Sequence, residues 1–256
     1  MGGEDGGPAE ARGMAVEFRG VWKAFGRLPV LAGLDLAIRP HETITIIGGS
    51  GTGKTVLLKL IVGLLKPEAG QVLVDGADVA PLREDDLVRV RRRIGFLFQG
   101  AALFDSLSVG ENVAYPLREH TQKDDTQIAA RVREVLALVR LDGVEGKEPA
   151  ALSGGMRKRV GLARAVALAP SLILYDEPTT GLDPQNAEKI NELIRDLQRK
   201  LGVTSVVVTH DMHSAFKVSD RIAMLRDGRI AALGTPEELQ QSTQEFVQDF
   251  IAGRIE

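Results

Sequence analysis

The run Gly48-Gly49-Ser50-Gly51-Thr52-Gly53-Lys54-Thr55 constrains this chain more than any other stretch. It matches G-x-x-x-x-G-K-[ST] in full, preceded by the β-branched segment 43–47 and followed by an apolar, helix-compatible one. Glycines in such a loop let backbone N–H groups curl inward around phosphates, at a helix start that already favours an anion. Lys54 then reaches the β- and γ-phosphates, and the Thr55 hydroxyl ligates Mg²⁺. Strand, loop and helix in this order predict a nucleoside-triphosphate site.

The flanking sequence supplies the scaffold that such a loop needs. Segments 16–19 and 31–38 alternate apolar and polar residues like half-exposed strands, and 72–74 and 94–98 read as further short strands. A helix is expected from Gly53 to about Leu65, with Pro67 stopping it. Residues 100–165 change character and read as mostly helical, with a capping box at Ser108 and Glu111 and helical spacing of Val132, Val135, Leu136 and Val139. Strand signals return at 172–175 and 203–209. Between them Asp183-Pro184 opens a helix whose apolar stripe is Ile190, Leu193, Ile194, Leu197 and Leu201, with Glu192 placed to pair with Arg195. A second capping box, Thr235 and Glu238, starts a last helical segment from Thr235 to Arg254. Alternating strands and helices predict an α/β fold with a mainly parallel sheet, interrupted by a helical insertion.

Composition narrows the function classes. Thirty-two basic against 35 acidic residues leave a net charge of −3, whereas binding by phosphate neutralisation calls for a basic excess, so no nucleic-acid partner is expected. The absence of cysteine rules out disulfides, zinc-thiolate sites and a thiol nucleophile. His41, His120 and His213 do not cluster with carboxylates at ligand spacing, so no zinc site is indicated. The longest apolar stretch, 56–65, carries Lys59 and Gly63 and falls well short of the ~20 residues that span a bilayer. Residues 1–14 have the composition of a disordered leader, and Met14 offers an alternative start. The run Arg89, Arg91, Arg92 and Arg93 reads as a solvated face near a sheet edge.

Two further motifs carry chemistry. Asp176-Glu177 closes the 172–175 strand, where parallel sheets place their ligands. As a site rather than a solvated turn, Asp176 holds Mg²⁺ through its shell and Glu177 orients or deprotonates the attacking water. Leu152-Ser153-Gly154-Gly155-Met156 stands 23 residues before Asp176 (counted at Ser153), and on spacing alone it is either a helix cap or a set of exposed N–H donors.

The order of P-loop, Leu-Ser-Gly-Gly before a helix, and Tyr175-Asp176-Glu177-Pro178 resembles the ATP-binding-cassette (ABC) ATPases, over nearly all of residues 15–235. The resemblance implies a P-loop NTPase core, mainly parallel with an antiparallel β edge, plus an inserted α-helical subdomain. It divides the chain into a leader 1–14, an ATPase domain 15–240 with the helical subdomain at about 100–165, and a C-terminal helical tail 241–256. It implies ATP and Mg²⁺ as cofactors and Glu177, His210, Lys54 and Gln99 as the catalytic set. Gln99 resembles the Q-loop glutamine, residues 180–183 the D-loop, and His210 the switch histidine that contacts the γ-phosphate. Thr55, Gln99 and Asp176 would serve the metal. Phe25 would stack on adenine, its alternative being core packing, and Val56 would join the phosphate loop as a nucleotide contact. Ser153, Gly154, Gly155 and Asp183 would act in trans, on the nucleotide held by a second copy in a head-to-tail homodimer.

The segments 96–106 and 111–120, with Met156, are similar to the ATPases of bacterial Mla/MCE-type phospholipid transporters. That branch implies an MlaE-like integral-membrane permease docked on residues 100–120, an MCE-domain protein and a STAS-domain subunit. It places the chain on the cytoplasmic face of the inner membrane, held there only through the permease. The ATPase of an importer for a small solute such as an amino acid, and a soluble non-transport cassette protein, are the competing readings.

Overall fold

The computed structural model describes residues 13–254. An antiparallel hairpin of β1 (Val16–Phe25) and β2 (Leu28–Ile38) opens the chain. It is longer than the alternating segments predict, because the ladder continues through residues 20–25 and 28–30, with Phe25 opposite Leu28, up to the turn at Gly26 and Arg27. After β3 (Thr43–Ile47) and α1 (Lys54–Ile61), β4 (Ala69–Val74) and the short β5 (Ala77–Asp78) complete a four-stranded antiparallel sheet in the order β2-β1-β4-β5. The helix α1 stops earlier than expected. Gly63 takes a φ of +64°, open to glycine at little cost, and the N–H groups of Leu64 and Leu65 turn back to the Lys59 carbonyl.

The second sheet runs β10-β9-β3-β8-β7-β6. Its strands are β6 (Ile94–Leu97), β7 (Leu172–Asp176), β8 (Thr204–Thr209), β9 (Arg221–Arg226) and β10 (Arg229–Gly234), together with β3. All pairings are parallel except β9 with β10 at the edge. Helices cover it: α2 (Glu84–Arg91), α3 (Val109–His120), α4 (Asp125–Leu138), α5 (Gly154–Val166), α6 (Pro184–Leu201), α7 (Met212–Val218), α8 (Pro236–Gln240) and α9 (Glu245–Ile251). Every position of β3, β7 and β8 is buried, as expected for strands covered on both faces. Along β7, Ile173 and Tyr175 enter one core with Val113, Val160 and Leu193, while Leu172 and Leu174 enter the other with Phe18, Ile44 and Leu58.

Both anticipated capping boxes form, and Asp124 with Gln127 makes a third. Several expectations are corrected. Glu192 does not pair with Arg195: it accepts from Arg140 at 2.8 Å, and Arg195 pairs with Asp220 at 2.9 Å, because neighbouring elements offer both side chains better-placed partners. The final helix is broken at 241–244 into α8 and α9. The arginine run is a staple as well as a surface. Arg91 donates to the Val62 carbonyl at 2.8 Å, Arg92 to the His120 carbonyl at 2.6 Å, and Arg93 pairs with Asp75 at 2.6 Å, whereas Arg89 is exposed. Of the leader, residues 1–12 lie outside the described residues, and Met14 is fully buried in the core beside Val16 and Phe18, so the packed unit begins before residue 15.

The register brings the chemistry together. Ile47, the last residue of β3, lies opposite Thr209 of β8, and Asp176 of β7 lies opposite Val208. Three loops therefore leave the same carboxyl edge side by side, the position where open α/β sheets place their ligands.

Candidate functional site

The phosphate loop leaves β3 and ends at the N-terminus of α1, where Gly53 has φ +104°. A Cβ there would stand 2.7 Å from Val30 Cγ1, so both conformation and space require glycine. Lys54 lies almost wholly inside, its Nζ donating to the carbonyls of Gly48 at 2.7 Å and Gly49 at 2.8 Å, with Glu177 Oε1 4.0 Å away. Burial lowers the Lys54 ammonium from its ordinary range, and the carboxylates of Glu177 and Asp176 act the other way. Thr52 folds back, its Oγ1 donating to the Gly49 carbonyl at 2.9 Å.

Below the loop, Thr55 Oγ1 donates to Asp176 Oδ1 at 2.9 Å. Burial pushes the Asp176 carboxyl above the ordinary carboxylate range; the Thr55 hydroxyl counters this and the Glu177 charge adds to it. A buried carboxylate and a hydroxyl form a hard-oxygen donor pair that a divalent cation such as Mg²⁺ fits, and its positive charge would relieve the cost of ionising Asp176 there.

Glu177 sits at the turn after β7 with φ +49°, a left-handed conformation uncommon for a side-chain-bearing residue. Its N–H bonds to the Val208 carbonyl at 2.9 Å. His210 Nδ1 is 3.0 Å from both carboxylate oxygens. A carboxylate only accepts, which assigns the shared proton to Nδ1 and leaves Nε2 free. Thr180 Oγ1 and Thr209 Oγ1 both donate to Glu177 Oε2, at 3.0 and 3.2 Å.

These groups border a cleft of about 980 Å³. Phe25, half exposed at the end of β1, forms one wall, with Val30, Val56 and Met212 nearby. Gln99, two residues past β6, points into the same space. Gly48, Gly49, Ser50, Gly51, Gly53, Lys54, Thr55, Glu177 and His210 complete its floor. Thr52 and Asp176 do not line it, being turned into the loop and the layer beneath.

The expected trans group stands apart from this cleft. Ser153 caps α5 through Met156 N–H at 3.3 Å, and Asp183 caps α6 through Asn186 N–H at 3.1 Å. Hydrogen bonds from the side chain and N–H of Asn186 lower the Asp183 carboxyl. The two helix starts are neighbours: a Cβ on Gly155 would come within 3.2 Å of Asn186, and one on Gly154 within 3.6 Å of Leu182. Ser153, Gly154, Gly155 and Asp183 thus form a second polar surface, and none of them lines the cleft around the phosphate loop.

Sequence reasoning missed several participants. Lys158 on α5 is buried and donates to the carbonyls of Gln99 and, at 3.0 Å, Glu177, tying two site loops to one helix; burial lowers its ammonium. Its only signal was a lysine among the apolar and small residues of the inward face of α5. Thr180 and Thr209 looked like loop and strand residues. Phe250, Ile251, Ala252 and Gly253, at the end of α9, line the cleft from far along the chain, which no local pattern could indicate.

A family model described as ABC transporter matches residues 31–180. The probable ribonucleotide transport ATP-binding protein mkl of Mycobacterium leprae is 42% identical over 242 residues, covering 94% of this chain and 70% of that one. The intermembrane phospholipid transport system ATP-binding protein MlaF of Haemophilus influenzae is 44% identical over 220 residues, 86% of this chain and 83% of that one. Among solved structures, the dimeric post-hydrolysis state of the ATP-binding cassette MJ0796 bound to ADP and Pi superposes with a TM-score of 0.80 at 35% identity, covering 86% of this chain and 98% of that one.

Proposed function

The chain belongs to the ABC transporter ATPases, as an ATP-binding subunit that hydrolyses ATP with Mg²⁺ in coupling to transport, and on that premise we propose that it drives phospholipid movement between bacterial inner and outer membranes. The observation that carries the cargo is the 44% identity to MlaF over most of both chains, together with the likeness of segments 96–106 and 111–120 to that branch.

In this reading the γ-phosphate lies against the N–H groups of the phosphate loop and Lys54, with Thr55, Gln99 and Asp176 serving the metal. Bound Mg²⁺ supplies charge neutralisation on the phosphate oxygens. Glu177 takes the proton of the attacking water, and His210 orients Glu177 through Nδ1. Phe25 offers its half-exposed ring to the adenine. Ser153, Gly154, Gly155 and Asp183 lie outside the chain's own cleft, which supports a head-to-tail homodimer in which they complete the partner's site. ATP then favours the closed pair through contacts made only in that state.

The membrane partner is an MlaE-like permease, with an MCE-domain protein and a STAS-domain subunit in the complex. Among the described residues no helix is long and apolar enough to cross a membrane, so attachment to the cytoplasmic face runs through that permease. A second cleft of about 620 Å³ suits its docking helix: Phe98, Phe104 and Tyr115 are exposed there, and the Phe104 and Tyr115 rings lie 5.0 Å apart. The resemblance to mkl, a ribonucleotide transport protein by name, favours a second reading, in which the same ATPase serves a permease for a soluble solute.

Purification of the tagged chain from its native membrane in mild detergent, with mass spectrometry of proteins and lipids, tests the cargo. An MCE-domain protein, a permease and enriched phospholipid are expected. A solute permease with a periplasmic binding protein would overturn the lipid assignment and leave the ATPase standing.

A further inference from the structure

Thr209 is fully buried at the end of β8, and its hydroxyl has neighbours whose roles are chemically fixed. The Asp211 N–H, 3.0 Å away, can only donate to Thr209 Oγ1. Glu177 Oε2, 3.2 Å away, can only accept from it as a carboxylate. With one lone pair taken by the amide, the single hydroxyl proton is directed at Glu177.

The same logic extends outward. Asn191 Nδ2 on α6 donates to Ser214 Oγ at 3.0 Å, so the Ser214 proton goes to Asp211 Oδ2 at 2.6 Å. Asp211 Oδ1 also caps α7 by accepting from Ser214 N–H at 3.3 Å. Every donor in this file points toward a carboxylate, from Asn191 through Ser214 to Asp211, and from the Asp211 amide through Thr209 to Glu177. Asn191 and Ser214 are themselves buried, so water cannot substitute for a lost partner at low cost. Thr180 supplies a second hydroxyl to Oε2, at 3.0 Å. His210 Nδ1 reaches both oxygens, so the two hydroxyls are what set Oε2 apart, and beyond His210 Oε1 has only the more distant Lys54. The carboxylate cannot turn over without breaking both hydroxyl bonds, and Oε1 is the oxygen left to take a proton from water.

We infer that Thr209 and Thr180 are positioning residues for hydrolysis: they clamp Glu177 Oε2 so that Oε1 is presented to the attacking water, and the Asn191–Ser214–Asp211 file ties that clamp to α6. This rests on the reading of Glu177 as the group that activates water. The helix α6 begins at Asp183, on the surface proposed to meet the partner copy, so a shift there reaches the carboxylate through directed hydrogen bonds.

The test is steady-state ATPase of the full chain in its transporter complex, with nucleotide affinity and thermal melting measured on each variant. Thr209→Val keeps the shape and removes the hydroxyl; about a 10- to 100-fold fall in kcat is expected with KM and ATP affinity unchanged, since misplacing a reacting group is expected to cost on this order. Thr209→Ser should restore most of the rate. Thr180→Val, at a partly exposed turn position that a fold can tolerate, should show the same kcat-selective loss and keeps the test decisive where Thr209→Val melts early. Wild-type kcat in both valine variants, equal damage from serine and valine, or a loss confined to KM would each overturn the clamp. Glu177→Gln separates the two layers: if it is inactive while both valine variants turn over normally, the clamp alone fails, and if it retains turnover, the reading of Glu177 fails.

Discussion

Asn112 lies on the inner face of α3, and its side chain is fully buried. Its Oδ1 accepts from Phe104 N–H at 2.8 Å, and Nδ2 faces the carbonyls of Phe104, Leu107 and Ser108, each at 3.0 Å. Two amide protons shared among three carbonyls amount to two bonds, which with the accepted bond makes three. At about 1 kcal/mol net each, Asn112→Leu removes about 3 kcal/mol, with any orphaned Phe104 N–H adding to that. For a domain of this size the loss corresponds to a fall in Tm of about 6–12 °C. The bonds pin the loop that carries Phe104 across from Tyr115, so the functional effect should fall on docking rather than on the ATP cleft. Urea or thermal unfolding measures the stability, and ATPase with and without the permease measures the coupling. Basal hydrolysis should survive at a temperature where the variant is folded, while stimulation by the permease falls. A stability loss below about 1 kcal/mol would refute the hydrogen-bond count, and normal stimulation in a destabilised variant would refute the placement of the docking surface.

Glu177→Gln should trap an ATP-bound dimer with hydrolysis nearly abolished, seen as a stable doubled mass in size-exclusion chromatography with light scattering; wild-type turnover would remove Glu177 from its role. Mixing inactive Lys54→Ala and Ser153→Arg chains should recover partial activity, because a mixed dimer rebuilds one composite site; confirmed mixed dimers without activity would count against sites shared between copies. Because burial raises the Asp176 carboxyl, the folded state holds that proton more tightly than the unfolded chain does, so its favourable contribution exists at acid pH and is lost as pH rises through the folded value. Asp176→Asn should therefore melt higher than wild type without nucleotide at pH 7.5, with the gap closing as the pH falls, yet gain no stability from Mg²⁺-ATP. A lower melting temperature at neutral pH would contradict the burial argument.

Much of the fold and the cleft was legible because it depends on local chemistry. Glycine spacing before Lys54 and Thr55, β-branched runs at 43–47 and 204–209, and Ser or Asp caps ahead of Glu111 and Asn186 act within a few residues of themselves. So does the carboxylate pair that closes β7, Asp176 ending the strand and Glu177 turning the chain. Errors arose where two distant segments compete for one group. Glu192 and Arg195 have ordinary helical spacing, yet Arg140 and Asp220 win them because tertiary packing brings those side chains closer. The arginine run looked solvated because carbonyl partners such as those of Val62 and His120 carry no mark in the sequence.

By itself the amino-acid sequence determined that a phosphate-binding loop stands between a buried strand and a helix, with an acidic pair and a histidine at the ends of later strands. Those are properties of neighbouring residues and need only backbone sterics and hydrogen-bond chemistry. Tertiary structure alone decided which atoms meet: that Thr209 and Thr180 share Glu177 Oε2, that Lys158 joins the loops of Gln99 and Glu177, and that the end of α9 walls the cleft. Such contacts follow from strand register and helix packing, which fix separations of a few ångströms between residues tens of positions apart.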